Sequence, residues 1–433
     1  MFLFFESVVP DESRAQAALD QIAEAWKDGY TPIFVDFARM MEAPRPGNPG
    51  SPIRGRLIDF LETQTGQNFG QNLDEWRLWM WKLPYDPHPT YAPFKGALYG
   101  QIDPRMMEFF GAESTIRMDE VDWGGVRVNG IPPLDHPKYI EASEADSLED
   151  DHIVFGIAVN GEARAYPQRI LAWREMALDE IGGVELTIIY CTLCGTVLPY
   201  ESEVGGQMRK FGTSGFLCRS NKLFFDEATK SLWSTLEGKP VVGKLINQDL
   251  ELNLRSSVTT TWEEWKNQNP NTTVLSIDPG YDKDYGEGVA YKKHLASDRL
   301  MFEVPETDNR LKNKDEVLVM QLAPSSGEGR APVALSTDFL ENNRIYPFEA
   351  GARSFVVITS EEGANRVFEP DEVRFKRERR SNRIEDESRR RWTVTEDALV
   401  AQGSPAVELP RVTANRAFWF GWYAQFSTTR LIQ

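Results

Sequence analysis

The hydrophobic period of this chain changes near residue 150, and that change limits the fold more than any other feature. Before it, apolar residues recur every three or four positions, the period of a helix face. After it they come in short β-branched and aromatic runs punctuated by Gly, Pro and Asn. A chain of 433 residues has room for two or three domains. The period change marks out a helical part over 1–112, a connector over 113–150, and a β-rich part over 151–433. The expected fold class is α+β: an all-helical N-terminal region, then a mainly antiparallel β domain with a few helices.

In the first part, Asp11 is placed to cap a helix reaching about Asp28, with Ala18, Leu19, Ile22, Ala23 and Trp26 on one face. Further helices are expected over Pro32–Met41, over Pro52–Thr63, from about Asp74, through Phe94–Tyr99, and over Asp103–Phe110. The run Pro44–Gly50 breaks the chain between the second and third. Short links suggest a small bundle. Such a region, with no chemistry of its own, is a candidate docking surface for a protein partner.

In the second part, Ile153–Val159 reads as a strand and Asn160-Gly161 as a type I′ turn, with Glu162–Tyr166 returning. Pro167 suits the first turn of a helix, expected to run to Glu180 and stop at Gly182-Gly183. Val184–Tyr190 is the next strand. Later strand candidates include Val317–Leu322, Arg353–Thr359 and Val367–Pro370. Val373–Arg377 is expected to pair with Arg391–Val394 across a charged segment. The aromatic run Ala417–Tyr423 is expected to lie buried under the β core.

The formal charge of −18 repels phosphate backbones, and the arginine-rich stretch 374–391 is interrupted by acids. Nucleic acid is therefore not an expected partner. No run reaches the ~20 apolar residues needed to span a bilayer. The apolar start Met1–Phe5 has no basic region and no cleavage site, so as written it is no signal peptide, which points to the cytoplasm.

The strongest chemical signal is Tyr190-Cys191-Thr192-Leu193-Cys194-Gly195. A C-x-x-C at the end of a strand puts two sulfurs on one side of a turn. That spacing suits two thiolate ligands to a soft ion such as zinc or copper, a reversible disulfide, or two inert buried thiols. Cys218 is a candidate third ligand. With three cysteines in all, a disulfide scaffold is excluded. The segment from Gly212 to Lys222 brings Thr213 and Ser214 between glycines, with Arg219 and Lys222 available to hold an anionic small molecule or to acidify a thiol. Arg174, on the helix before Val184–Tyr190, is a candidate for the same role. His88, His136, His152 and His294 form no metal-binding spacing.

Taken together, Asn160–Pro167, Tyr190–Gly195, Gly212–Gly215, Ser231-Leu232-Trp233 and Thr261-Trp262 resemble, in order and spacing, the bacterial domain of unknown function 3179. The likeness covers about 120–280 and the aromatic end, with the helical part similar to the extension of longer members. It implies no reaction. It implies an extracytoplasmic setting, since many members look exported or membrane-anchored. Members often carry His where this chain has Arg174, so if that His is a metal ligand beside the two cysteines, this chain has lost it. The expected site is thus Cys191 and Cys194 with the 212–222 segment, acting on a small molecule or partner. The rival expectation is a non-catalytic binding or scaffold protein with inert cysteines.

Overall fold

The computed structural model describes residues 1–433 except 46, 112, 279, 281, 323–329 and 380–382. The N-terminal part is helical: Phe2–Glu6, Glu12–Glu24, Thr31–Met40, Pro52–Thr65, Leu73–Met80 and Tyr91–Tyr99, then a 3-10 turn over Pro104–Phe110. Local chemistry sets these ends. The Asp11 carboxylate accepts from the Arg14 amide, Asn72 does the same for Glu75, and Pro52 occupies a first-turn position where no amide donor is needed. Pro44–Gly50 separates two helices as expected, except that residue 46 of it lies outside the described residues.

The helices bury Leu19, Phe34, Leu57, Trp76, Phe94 and Phe110 in one core. That core continues into Phe216, Cys218, Leu223 and Phe225 of the β part. Charged groups inside it are paired. Lys95 reaches Asp36 at 2.9 Å, and Asp122 is held between Arg39 and Arg77. An unpaired charge there would cost several kcal/mol.

The rest is a set of mainly antiparallel sheets. Two position the site. One runs Val121–Trp123, Phe211–Cys218, Asn221–Asp226, Leu232–Ser234, Pro240–Val242. The other runs Leu134–Asp135, Met176–Ile181, Val184–Cys191, Thr196–Glu201. A five-stranded sheet contains the expected Asn160-Gly161 hairpin, pairing Ile153–Val159 with Glu162–Pro167. Four- and seven-stranded sheets complete the C-terminal half. The aromatic end forms the strand Asn415–Phe418 and the helix Trp419–Gln425, with Trp419, Phe420 and Trp422 buried.

Two expectations are corrected. The helix after Pro167 covers only Gln168–Arg174 and does not reach Glu180. Glu175 takes the left-handed conformation at φ 61°, which ends the helix, and Met176–Ile181 then pairs with Val184–Cys191. Gly182 and Gly183, at φ 58° and 75°, form the hairpin turn between them. The apolar run Met176-Ala177-Leu178 is compatible with a helix, but cross-strand pairing wins it for the sheet. Second, Val373–Arg377 is not a strand partner of Arg391–Val394, which pairs instead with Ile384–Glu385 and Ala398–Ala401. Residues 380–382 of the arginine-rich stretch lie outside the described residues. Among the described residues, no helix is long and apolar enough to cross a membrane.

Candidate functional site

The strand Val184–Cys191 delivers Cys191 to a tight turn, closed by the Cys194 amide donating to the Cys191 carbonyl at 3.1 Å. Gly195 leaves the turn at φ 60°, a conformation glycine adopts without strain. A side chain there would meet the Phe418 ring at 2.8 Å. The Phe418 amide donates to the Cys194 carbonyl at 2.7 Å, and Gly421 allows the helix Trp419–Gln425 to lie against Cys194. The aromatic end of the chain therefore clamps the turn. His294 adds a second clamp, its Nε2 donating to the Leu193 carbonyl at 3.0 Å. Burial holds the His294 ring below its ordinary pKa.

Both cysteines are free and have no exposed surface. Their sulfurs lie 2.8 Å apart. Two thiolates on one tetrahedral zinc, with Zn–S bonds of ~2.3 Å, would stand roughly 3.7 Å apart. An S–S bond measures ~2.05 Å. The observed separation lies between these two distances.

The two thiols differ because their surroundings differ. The Ser220 carbonyl lies 3.2 Å from the Cys194 sulfur and 4.0 Å from that of Cys191. An acceptor beside Cys194 favours its protonated form. Burial pushes Cys191 upward, but the Cys194 thiol, the Lys222 ammonium and the backbone amides of Lys222 and Cys194 outweigh it. The net effect holds Cys191 below the usual thiol range. Burial and the proximity of Cys191 push Cys194 well above that range. Cys191 is the more acidic thiol of the pair and Cys194 the less acidic.

Cys218 does not join them. It lies on Phe211–Cys218, where side chains alternate between faces. Leu217 packs with the Cys191–Cys194 cluster, while Cys218 enters the helical core. Burial raises its pKa strongly, so it is an inert thiol. Among the described residues, the only group of three acids, histidines or cysteines close enough to share an ion is Glu149, Asp151 and His152. It is largely exposed, and the His152 Nδ1 already accepts from the Glu149 amide at 3.0 Å.

A narrow cleft with a cavity volume of about 70 Å³ opens beside the cysteine cluster, touching it through Leu193 and Leu217. Its walls are mostly apolar, including Ile131, Met176, Leu193, Phe216, Met301 and Phe302. Its polar centre is Glu175, Lys222 and Tyr291. The Lys222 ammonium meets Glu175 at 2.5 Å and donates to the Tyr190 carbonyl at 3.1 Å. The Tyr291 hydroxyl donates to Glu175 at 2.7 Å, and burial beside that carboxylate pushes it far above the usual phenol range. Glu175 is a non-glycine residue in left-handed backbone, a costly conformation kept where the surroundings impose it.

The sequence-predicted residues divide here. Lys222, Thr213 and Ser214 line the cleft. The Thr213 hydroxyl is spent on the Ile131 carbonyl at 2.9 Å and that of Ser214 on the Leu223 carbonyl, so this segment is a bulged strand and not an anion cradle. Arg219 turns away, pairing with Glu120 at 2.6 Å and donating to the Ala424 carbonyl. Arg174 is buried and donates to the Pro132 carbonyl at 2.5 Å. The sequence does not single out Glu175, Tyr291, Met301 or Phe302 as site residues. The last three come from a loop about 100 residues downstream with no periodicity to mark it.

Residues 128–429, more than half of the chain, match the family model described as "Protein of unknown function (DUF3179)". No curated protein and no solved structure matches the chain.

Proposed function

The chain belongs to this family of unknown function, and on that premise we propose that Cys191 and Cys194 form a redox-active dithiol serving a small molecule or partner. The observation that supports this reading best is the 2.8 Å sulfur contact between thiols of opposite acidity. In such a pair the thiolate attacks and the protonated partner resolves. Closing the disulfide releases two electrons and two protons, which a two-electron acceptor must take up. Lys222 makes Cys191 the more acidic thiol, and burial next to Cys191 makes Cys194 hold its proton more tightly. The Phe418 and His294 contacts hold the turn so that little motion separates dithiol from disulfide.

The test is to equilibrate the full chain in glutathione buffers of graded ratio and to locate disulfides by peptide mass. The expected result is reversible Cys191–Cys194 closure in the folded protein, abolished in Cys194→Ser. If the pair closes only after unfolding, the redox reading is wrong. A second reading then stands, favoured by the complete burial of both sulfurs: a ligand-binding protein whose cysteines are core.

A further inference from the structure

A second cavity lies away from the cysteines, where the strands Thr196–Glu201, Glu316–Leu322 and Asn415–Phe418 meet the helix Trp419–Gln425. Its volume is about 470 Å³, within the ~300–1,000 Å³ of small-molecule sites. Leu198, Leu236, Leu252, Val319 and Leu322 give it aliphatic walls. Two wall residues carry donors with nothing to bond. Trp422 is buried, and its indole N–H has no partner among the described residues. Buried indole N–H groups usually find one. Asn415, paired with Val319 across the sheet, is 2% exposed. Its Oδ1 accepts from the Ser257 amide at 2.9 Å and from the Ser257 hydroxyl at 2.6 Å. A backbone amide can only donate, so this contact fixes which end of the carboxamide is oxygen. The Nδ2 group is left over and makes no hydrogen bond among the described residues. Other polar wall groups are committed. The Tyr200 hydroxyl donates to the Thr235 carbonyl at 2.7 Å and the Gln321 amide to the Leu236 carbonyl at 3.2 Å. Two acids in the wall, Glu237 and Glu251, balance two bases, Arg330 and Arg353. Arg330 is tied to Glu251, and Arg353 to Glu369 at 2.8 and 2.7 Å.

We propose that this cavity binds an uncharged aliphatic carbonyl compound, of the amide or ester class, whose carbonyl group accepts the Trp422 and Asn415 donors. The site is separate from the cysteine pair and does not depend on the redox reading. The unbonded buried groups are both donors, so the inner end of the ligand is an acceptor. A carbonyl oxygen has two lone pairs to offer them. A carboxylate at that place would be a buried charge facing neutral donors, with both arginines of the wall already held by acids, and burial without a counter-charge disfavours it. An ammonium would set further donors against the two already present. The ligand's alkyl part covers the leucine and valine walls, which gain by leaving water. Because Ser257 holds the Asn415 carboxamide, that donor is oriented before the ligand arrives.

The probes are hexanamide and hexanoate, alike in shape and different in charge, added to the full-length protein at neutral pH. The readout is the indole N–H proton resonance of Trp422, assigned with Trp422→Phe, since a new hydrogen bond moves it downfield. A saturable downfield shift with hexanamide, at an affinity at least tenfold above that of hexanoate, supports the proposal. Leu254 is half-buried in the cavity wall. Leu254→Phe narrows the space and should weaken hexanamide at least tenfold with the melting temperature preserved. Undiminished binding in that variant puts the probe elsewhere and overturns the proposal. If Leu254→Phe melts early, magnetisation transfer from the hexanamide methylenes to the Trp422 ring in the parent decides: cross-peaks support the site and their absence overturns it. No shift with hexanamide up to its solubility limit means that ordered water alone fills the cavity, and tighter binding of hexanoate means a site for acids; either result overturns the proposal. None of these results bears on the redox reading, which keeps its own test.

Discussion

Removing the Lys222 charge should raise the pKa at which the cysteine pair loses its first proton, and this tests the electrostatics of the site. Lys222→Met alone is unsuitable, because Glu175 would be left buried without its cation, at a cost of about 3–5 kcal/mol. Lys222→Met/Glu175→Gln removes both charges and keeps the shape. An opposite charge close to a titrating group shifts it by ~1–3 units. The ammonium is partly cancelled by Glu175 at 2.5 Å, so the lower end applies: about one unit upward, or ~1.4 kcal/mol. The sign follows from Lys222 lowering the Cys191 pKa. At pH below the titration midpoint the thiolate population should fall roughly tenfold. Glu175→Gln alone unmasks the ammonium and should move the same midpoint down. The assay is the ultraviolet absorbance of the thiolate against pH, in a Cys218→Ala background. If the double and single variants titrate like the parent while melting normally, Lys222 does not set the acidity of Cys191.

Other outcomes follow from contacts away from that charge pair. Cys218→Ala should leave Cys191–Cys194 disulfide formation unchanged by peptide mass, since Cys218 faces the helical core; its cost is a smaller stability loss in denaturant unfolding. Gly195→Ala should destabilise by about 1–3 kcal/mol in the same assay, from its φ of 60° and the Phe418 ring at 2.8 Å. Glu396→Gln should cost about 3–5 kcal/mol at pH 7, because Arg366 and Arg411 would be left buried without their anion. Burial raises the Glu396 pKa, yet the two arginines outweigh it and hold it below the ordinary range. Its stabilisation is therefore present above the unfolded carboxyl pKa, ~4.3, and is lost as pH falls through the folded value. Thermal melts of Glu396→Gln and parent should converge at acid pH; a constant gap would contradict the assignment.

Much of the fold is legible where local signals agree. Asp11 and Pro52 mark helix starts, and Asn160-Gly161 marks a hairpin. Reasoning fails where tertiary pairing overrides them. Met176–Ile181 carries a helix-compatible pattern, and only its ladder to Val184–Cys191 makes it a strand. For the candidate site, Cys191, Cys194 and Lys222 are visible by spacing and charge. Glu175 is hidden because its role depends on one left-handed residue that no neighbour announces. Tyr291 is hidden because only the folded chain brings it to Glu175.

The strand Phe211–Cys218 is a party wall. Leu217 packs on the cysteine cluster, Cys218 on the opposite face enters the helical core, and Phe216 belongs to that core while also bordering the cleft. Trimming the chain to its family-matched segment would strip the cover from that second face. Phe216, Cys218, Leu223 and Phe225 would then meet water, and the patch would seek another surface. A shortened form made for biochemistry would report on a damaged wall, and any loss of cleft chemistry in it would say nothing about the helices as a functional module.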